Sequence, residues 1–226
     1  MSSPSPLEGD KVPSHILALL ARLHAESLQQ EASIARADYD ANVIHGNMKD
    51  KFIALEPEKC HFVYQLARAI NAKYIVEAGT SYGVSTIYLA LAVAANCRTT
   101  GGVGKVIGTE HEGAKAEKAR AYWEECGDIV KDVVELREGD LRETLKEGLG
   151  TVDLLLLDIW TPMALPTLKL VQPKLRPGAV VITDNTIGSA AGYQELLEYM
   201  QAPGSGFTNL TLPYNKGLEM SVYSPN

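Results

Sequence analysis

The sequence predicts an α/β fold: a doubly wound, seven-stranded sheet, mostly parallel, with an antiparallel C-terminal hairpin and helices on both faces. Three observations carry this. Short apolar runs alternate with helical stretches five times between Lys73 and Met200. Those runs are apolar on both sides, as strands covered by helices on two faces are. The last two β-rich runs, FTNLTLP (207–213) and LEMSVY (218–223), have no helix between them, and the turn Tyr214-Asn215-Lys216-Gly217 makes them a hairpin.

The elements follow in order. Residues 1–12 carry Ser, Pro, Gly and charge without periodicity and read as a flexible tail. Residues 13–226 read as one domain. Ile16, Leu19, Leu20 and Leu23 stand at helical spacing in a helix from His15 to about Ile34, with Ser14 as its N-cap. Residues 35–55 are polar and irregular. A second helix spans 57–70, with Pro57 in its first turn. Then come KYIVEAG (73–79) and a helix over 84–95; KVIGTE (105–110) and a helix over 114–126; VVELRE (133–138) and a short helix over 141–146. VDLLLLD (152–158) precedes a helix over 165–174, and AVVITDN (179–185) precedes one over 193–200.

Composition narrows the function. The chain has 226 residues, 46% of them hydrophobic, and a net charge of −7. That length buries a core without disulfides. The acidic balance gives no electrostatic footprint for nucleic acid. The longest apolar run, Ile87 to Ala95, falls far short of the ~20 residues of a membrane span, so no membrane association is expected. The N-terminus has the composition of neither a signal nor a transit peptide. Cys60, Cys97 and Cys126 are scattered and odd in number, which fits a reducing, cytoplasmic setting.

Ligands of open α/β sheets sit at the carboxyl ends of the strands. Each of the five parallel strands here carries an acid at or near that end: Glu77, Glu110, Asp140, Asp158 and Asp184. The turn after the first strand is Glu77-Ala78-Gly79-Thr80-Ser81-Tyr82-Gly83. It is not the dinucleotide GxGxxG, because serine stands where the second glycine must be. Glu77 is ill suited to a phosphate and well suited to a positive charge or an amino group. Glu110 can take both hydroxyls of a ribose. Asp140 is placed for an adenine amino group, or it is a plain helix N-cap. The three acids together describe an adenosine-like ligand without phosphates.

EAGTSYGVS, followed by TEHE, EGDL, LLLLDIW and ITDNT, resembles the class I S-adenosylmethionine-dependent methyltransferases, and within them the catechol and caffeoyl-CoA O-methyltransferase family. The similarity runs from about Ile53 to Tyr223. It implies a Rossmann-like fold and an enzyme that moves a methyl group from S-adenosylmethionine to an oxygen of a small, aromatic acceptor. By the resemblance Glu77, Gly79 and Ser85 contact the methionine part of the cofactor, Glu110 the ribose, and Asp140 and Leu141 the adenine side. Leu55 falls where the family uses backbone groups near the cofactor. Residues 13–55 would cap the site and join a homodimer interface.

Asp158 ends the fourth strand, and Asp184-Asn185 end the fifth. Two carboxylates and an amide oxygen suit a hard cation such as Mg²⁺. In the family these three positions bind a divalent ion; otherwise they are strand-end cap and Asx-turn residues. The sequence departs from the family three residues after Asp158, where Thr161 stands in place of a lysine that serves as general base. The metal can lower the acceptor's pKa alone, His45 can arrive as a base, or the acceptor can be a carboxylate that needs none. Rival readings are a nicotinamide-dependent reductase, which the glycine turn opposes, and a catalytically silent S-adenosylmethionine-binding protein.

Overall fold

The computed structural model describes residues 5–33 and 50–225. In chain order the elements begin with α1 (Pro6–Gly9), α2 (Ser14–Ala32) and α3 (Pro57–Ala69). Then follow β1 (Tyr74–Ala78), α4 (Val84–Thr100), β2 (Lys105–Glu110), α5 (Gly113–Cys126), α6 (Asp128–Lys131) and β3 (Val134–Glu138). The chain continues through α7 (Leu141–Thr144), β4 (Val152–Leu157), α8 (Ala164–Val171), β5 (Leu175–Asp184), α9 (Ala190–Gln201), β6 (Phe207–Leu212) and β7 (Leu218–Tyr223).

The seven strands lie in the order β3-β2-β1-β4-β5-β7-β6. The first five are parallel, and β7 runs antiparallel between β5 and β6. Strand order reverses between β1 and β4, so the ligand crevice of such a sheet lies at their carboxyl ends. The central strands are apolar on both faces because helices cover both. One core joins α2, α3, α4 and α5 to the sheet face carrying Ile75, Leu154 and Ile182. The other joins α8 and α9 to the face carrying Val76, Leu155 and Val181. Helix α4 is buried almost all round, from Val84 to Asn96, so it has no polar stripe.

Three expectations are adjusted. Of the tail expected over 1–12, the described residues 5–12 are folded. A capping box between Ser5 and Glu8 nucleates α1, and Leu7 is buried in the core. Asp10 then accepts hydrogen bonds from Tyr64 and Arg68 of α3, which fixes this segment to the domain. Ser14 is the first residue of α2 rather than its cap; Pro13 stands at that place without a side-chain hydrogen bond. Strand β5 begins at Leu175, four residues before the apolar run, because the β4–β5 register shifts between Val152 and Leu154 and accommodates Pro177. No helix among the described residues is long and apolar enough to cross a membrane.

Candidate active site

The register decides which acids meet. Ala78 pairs with Leu157 across β1 and β4, and Leu157 pairs with Thr183 across β4 and β5. One residue further on, Gly79, Asp158 and Asp184 therefore stand side by side at the sheet's carboxyl edge.

The turn between β1 and α4 closes tightly on this edge. A Cβ on Gly79 would sit 2.0 Å from the carbonyl oxygen of Asp158, and φ at Gly79 is +95°. Only glycine meets both demands. Gly83, at φ +78°, ends the turn against the Trp123 indole, whose Nε1 donates to the Gly83 carbonyl. Trp123 is thus a packing residue.

Glu77 lies beneath this turn, fully buried. Its oxygens accept hydrogen bonds from Ser85 Oγ (2.7 Å), Thr80 Oγ1 (2.8 Å) and Thr86 Oγ1 (2.5 Å). Burial raises its carboxyl above the usual range against the pull of these hydroxyls. Glu77 thus organises three hydroxyls that shape the turn.

A cleft opens above the turn, lined by Leu55, Gly79, Ser81, Tyr82, Ser85 and Asp158 among others. Its far wall is the strip 52–55, which α2 holds. The Ser27 hydroxyl accepts from Ala54 N at 2.8 Å and donates to the Phe52 carbonyl at 3.1 Å. The Phe52 ring stacks on Tyr82, centroids 4.4 Å apart. Thus Leu55, Gly79, Ser85 and Asp158, picked from the sequence, share one cleft.

Glu110 stands beside it at the end of β2, partly buried, with one oxygen on Ser81 N and the other on Glu112 N, both at 2.8 Å. It braces the glycine turn, and its oxygens can also accept a hydrogen bond from a ligand hydroxyl. Asp140 is an N-cap: Oδ1 accepts from Arg142 N at 2.9 Å and Oδ2 from the Arg142 guanidinium at 2.6 Å. Those bonds hold its carboxyl down, at about 2. Asp140 thus takes the plain N-cap place that is its alternative reading, and Leu141 beside it is buried. His45 lies outside the described residues.

The acidic corner holds a residue that motif reading passed over. Lys59 of α3 reaches Asp184 Oδ1 at 2.5 Å and Glu56 Oε2 at 2.9 Å, and its side chain is 1% exposed. The two carboxylates raise its pKa against the effect of burial, so it stays an ammonium. The signal in the sequence was a lysine on an apolar stripe: Lys59, Val63 and Ala67 stand four apart on the buried face of α3. Burial and the neighbouring charges of Asp184, Glu77 and Glu56 push Asp158 well above the usual carboxylate range.

A divalent ion is tested by these same atoms. Among the described residues no three His, Cys, Asp or Glu side chains are grouped for a metal; the candidate set is two carboxylates and an amide. The Asn185 Oδ1 is buried without a hydrogen-bond partner. Asn185 takes φ +59°, a conformation asparagine tolerates, with its N–H on the Gly217 carbonyl. The orphaned amide oxygen and the two adjoining carboxyls suit a hard cation, which would take the place of the proton that burial favours on Asp158, with Asp184 already shared by Lys59. Thr161, at the place of the family's lysine, packs on α9: a Cβ on Gly192 would lie 2.3 Å from Thr161 Oγ1.

Comparison with known proteins speaks for the family and the fold. A family described as "Methyltransferase domain" matches residues 76–186, which run from β1 through Thr186. A catechol O-methyltransferase of Niastella koreensis is 26% identical over 174 residues, covering 75% of each chain. One of Mycobacterium tuberculosis is 33% identical over 136 residues, 60% of this chain and 58% of that protein. An O-methyltransferase from Bacillus cereus solved in complex with SAH superposes with a TM-score of 0.67 at 23% identity, over 90% of this chain and 91% of the other. At that identity the likeness speaks for the fold.

Proposed function

The chain belongs to the class I S-adenosylmethionine-dependent methyltransferases, and from that membership we propose that it methylates an oxygen of a small, aromatic acceptor with the help of a divalent cation. The observation that carries the reading is the meeting of the glycine turn and the Asp158–Asp184–Asn185 corner at the switch point of the sheet. The catechol O-methyltransferase names of the relatives support an aromatic acceptor. A homodimer in the cytoplasm belongs to the same proposal; its supports are the family resemblance and, for the compartment, three unpaired cysteines.

S-adenosylmethionine supplies a sulfonium methyl, which an acceptor oxygen takes by in-line displacement, releasing S-adenosylhomocysteine. The chain's own part is binding, orientation and charge. Gly79 lets the backbone approach the ligand, Glu77 holds the turn's hydroxyls in place, and Glu110 offers a carboxylate to ribose hydroxyls. The strip 52–55 closes the cleft against water. Asp158, Asp184 and Asn185 would hold a divalent ion, whose chemistry there is to lower the pKa of an acceptor hydroxyl. Asp158, on the wall of the cleft, would orient the acceptor.

A second reading has its own observation. Thr161 offers no base and is packed on Gly192. A carboxylic acid acceptor is already ionised at neutral pH and needs none, and its methylation would be independent of metal.

The deciding experiment is incubation with methyl-labelled S-adenosylmethionine and a panel of catechols, phenols and aromatic acids, with Mg²⁺ or with EDTA. Label on a catechol or phenol oxygen, lost in EDTA, supports the first reading. Label only on carboxylates, undiminished in EDTA, replaces it with the second.

A further inference from the structure

We propose that Lys59 is a fixed internal cation that competes with a divalent ion for Asp184 and so sets how tightly the Asp158–Asp184–Asn185 corner holds one. The inference rests on the metal-assisted reading above.

Helix α3 delivers this ammonium from outside the sheet into the corner. Its side chain is 1% exposed and that of Asp184 3%, so no water layer separates the pair. Asp184 Oδ1 is spent on the ammonium at 2.5 Å. Glu56, the residue preceding α3, holds the same nitrogen at 2.9 Å, and this second anchor keeps it from swinging away. An ion arriving at Asp158 and Asn185 Oδ1 therefore meets a carboxylate already bonded to a cation. Two cations facing one buried carboxylate repel strongly, because little solvent screens them. A lysine on the apolar stripe of α3 is costly unless its charge is paired, and Asp184 and Glu56 are what pair it.

The test is Mn²⁺ alone, titrated into the full chain and followed by the electron paramagnetic resonance of free Mn²⁺, with no cofactor or acceptor present. Four proteins are compared: wild type, Lys59→Met, Asp184→Asn and the double variant. Lys59→Met frees Asp184 and is expected to bind at least tenfold tighter than wild type. The double variant is expected to return to within about threefold of wild type, since Asp184's charge is withdrawn in both. If Lys59→Met binds like wild type or more weakly, the inference is overturned and the metal-assisted reading stands. Binding by Lys59→Met with none by wild type supports the inference and removes the ion from the native reaction. No binding by any of the four overturns both. Should Lys59→Met fail to fold, the double variant must bind at least tenfold tighter than Asp184→Asn, which keeps the ammonium on Glu56 alone; equal affinities overturn the inference.

Discussion

Lys59 Nζ and Asp184 Oδ1 lie 2.5 Å apart, joining α3 to the carboxyl end of β5 in a pair almost wholly removed from solvent. The pair links the outer helical layer to the strand that ends the acidic corner.

Breaking that pair from one side leaves a buried charge alone. Lys59→Ala is expected to cost about 3–5 kcal/mol of stability, read from urea midpoints. Lys59→Met with Asp184→Asn should recover most of the loss, because both charges leave together. A single Lys59→Ala costing under ~1 kcal/mol would place the pair in a more solvated setting than described.

Gly79 is the tightest point of the glycine turn. An alanine there meets the Asp158 carbonyl at 2.0 Å and a positive φ. Gly79→Ala is expected to lower stability by more than ~2 kcal/mol and to abolish binding of S-adenosylhomocysteine. Gly113→Ala, where a Cβ meets nothing closer than 3.9 Å, is the control and should leave ligand affinity unchanged.

Glu110 holds the N–H groups of Ser81 and Glu112, and the proposed function gives it the ribose of the ligand. Glu110→Ala should weaken S-adenosylmethionine by roughly 1.5–3 kcal/mol, about tenfold or more by calorimetry. Unchanged affinity would show that the ribose is bound elsewhere.

His24 gives a pH signature. Burial pushes its imidazole down to about 4 from 6.5, and its Nε2 is 3.0 Å from the Tyr88 hydroxyl. The unfolded chain takes up a proton below about 6.5 that the folded chain refuses until about 4. Stability attributable to His24 is therefore full above pH 6.5, falls as pH drops through this window, and levels off below 4. The span is up to about 3 kcal/mol. Urea midpoints at several pH values check it: His24→Gln should flatten the slope between pH 6.5 and 4, and an unaltered slope would assign the acid sensitivity to other groups.

Much of this was legible in the sequence because the strands are short, apolar and terminated by acids. KYIVEAG and VDLLLLD specify both the two-faced sheet and the register that sets Gly79 beside Asp158. The hairpin is written in Asn215-Lys216-Gly217, where Lys216 and Gly217 both take positive φ. What the sequence hid is direction. Glu77 is a strand-end acid like Glu110, yet it turns inward to three hydroxyls, whereas the N-cap at Asp140 is already one of its two readings. Side-chain hydrogen bonds of this range depend on the turn's geometry, which periodicity does not encode. Lys59 was hidden because its partner lies 125 residues away. Leu7 was hidden because a four-residue helix leaves no periodic trace.

The most direct test of the account is calorimetric titration of the wild-type chain with S-adenosylhomocysteine, beside a parallel titration with NADPH. One molecule of S-adenosylhomocysteine bound per chain, with no heat from NADPH, is the predicted result. Binding of NADPH with none of S-adenosylhomocysteine would contradict it and assign the cleft at Gly79 to a nicotinamide cofactor.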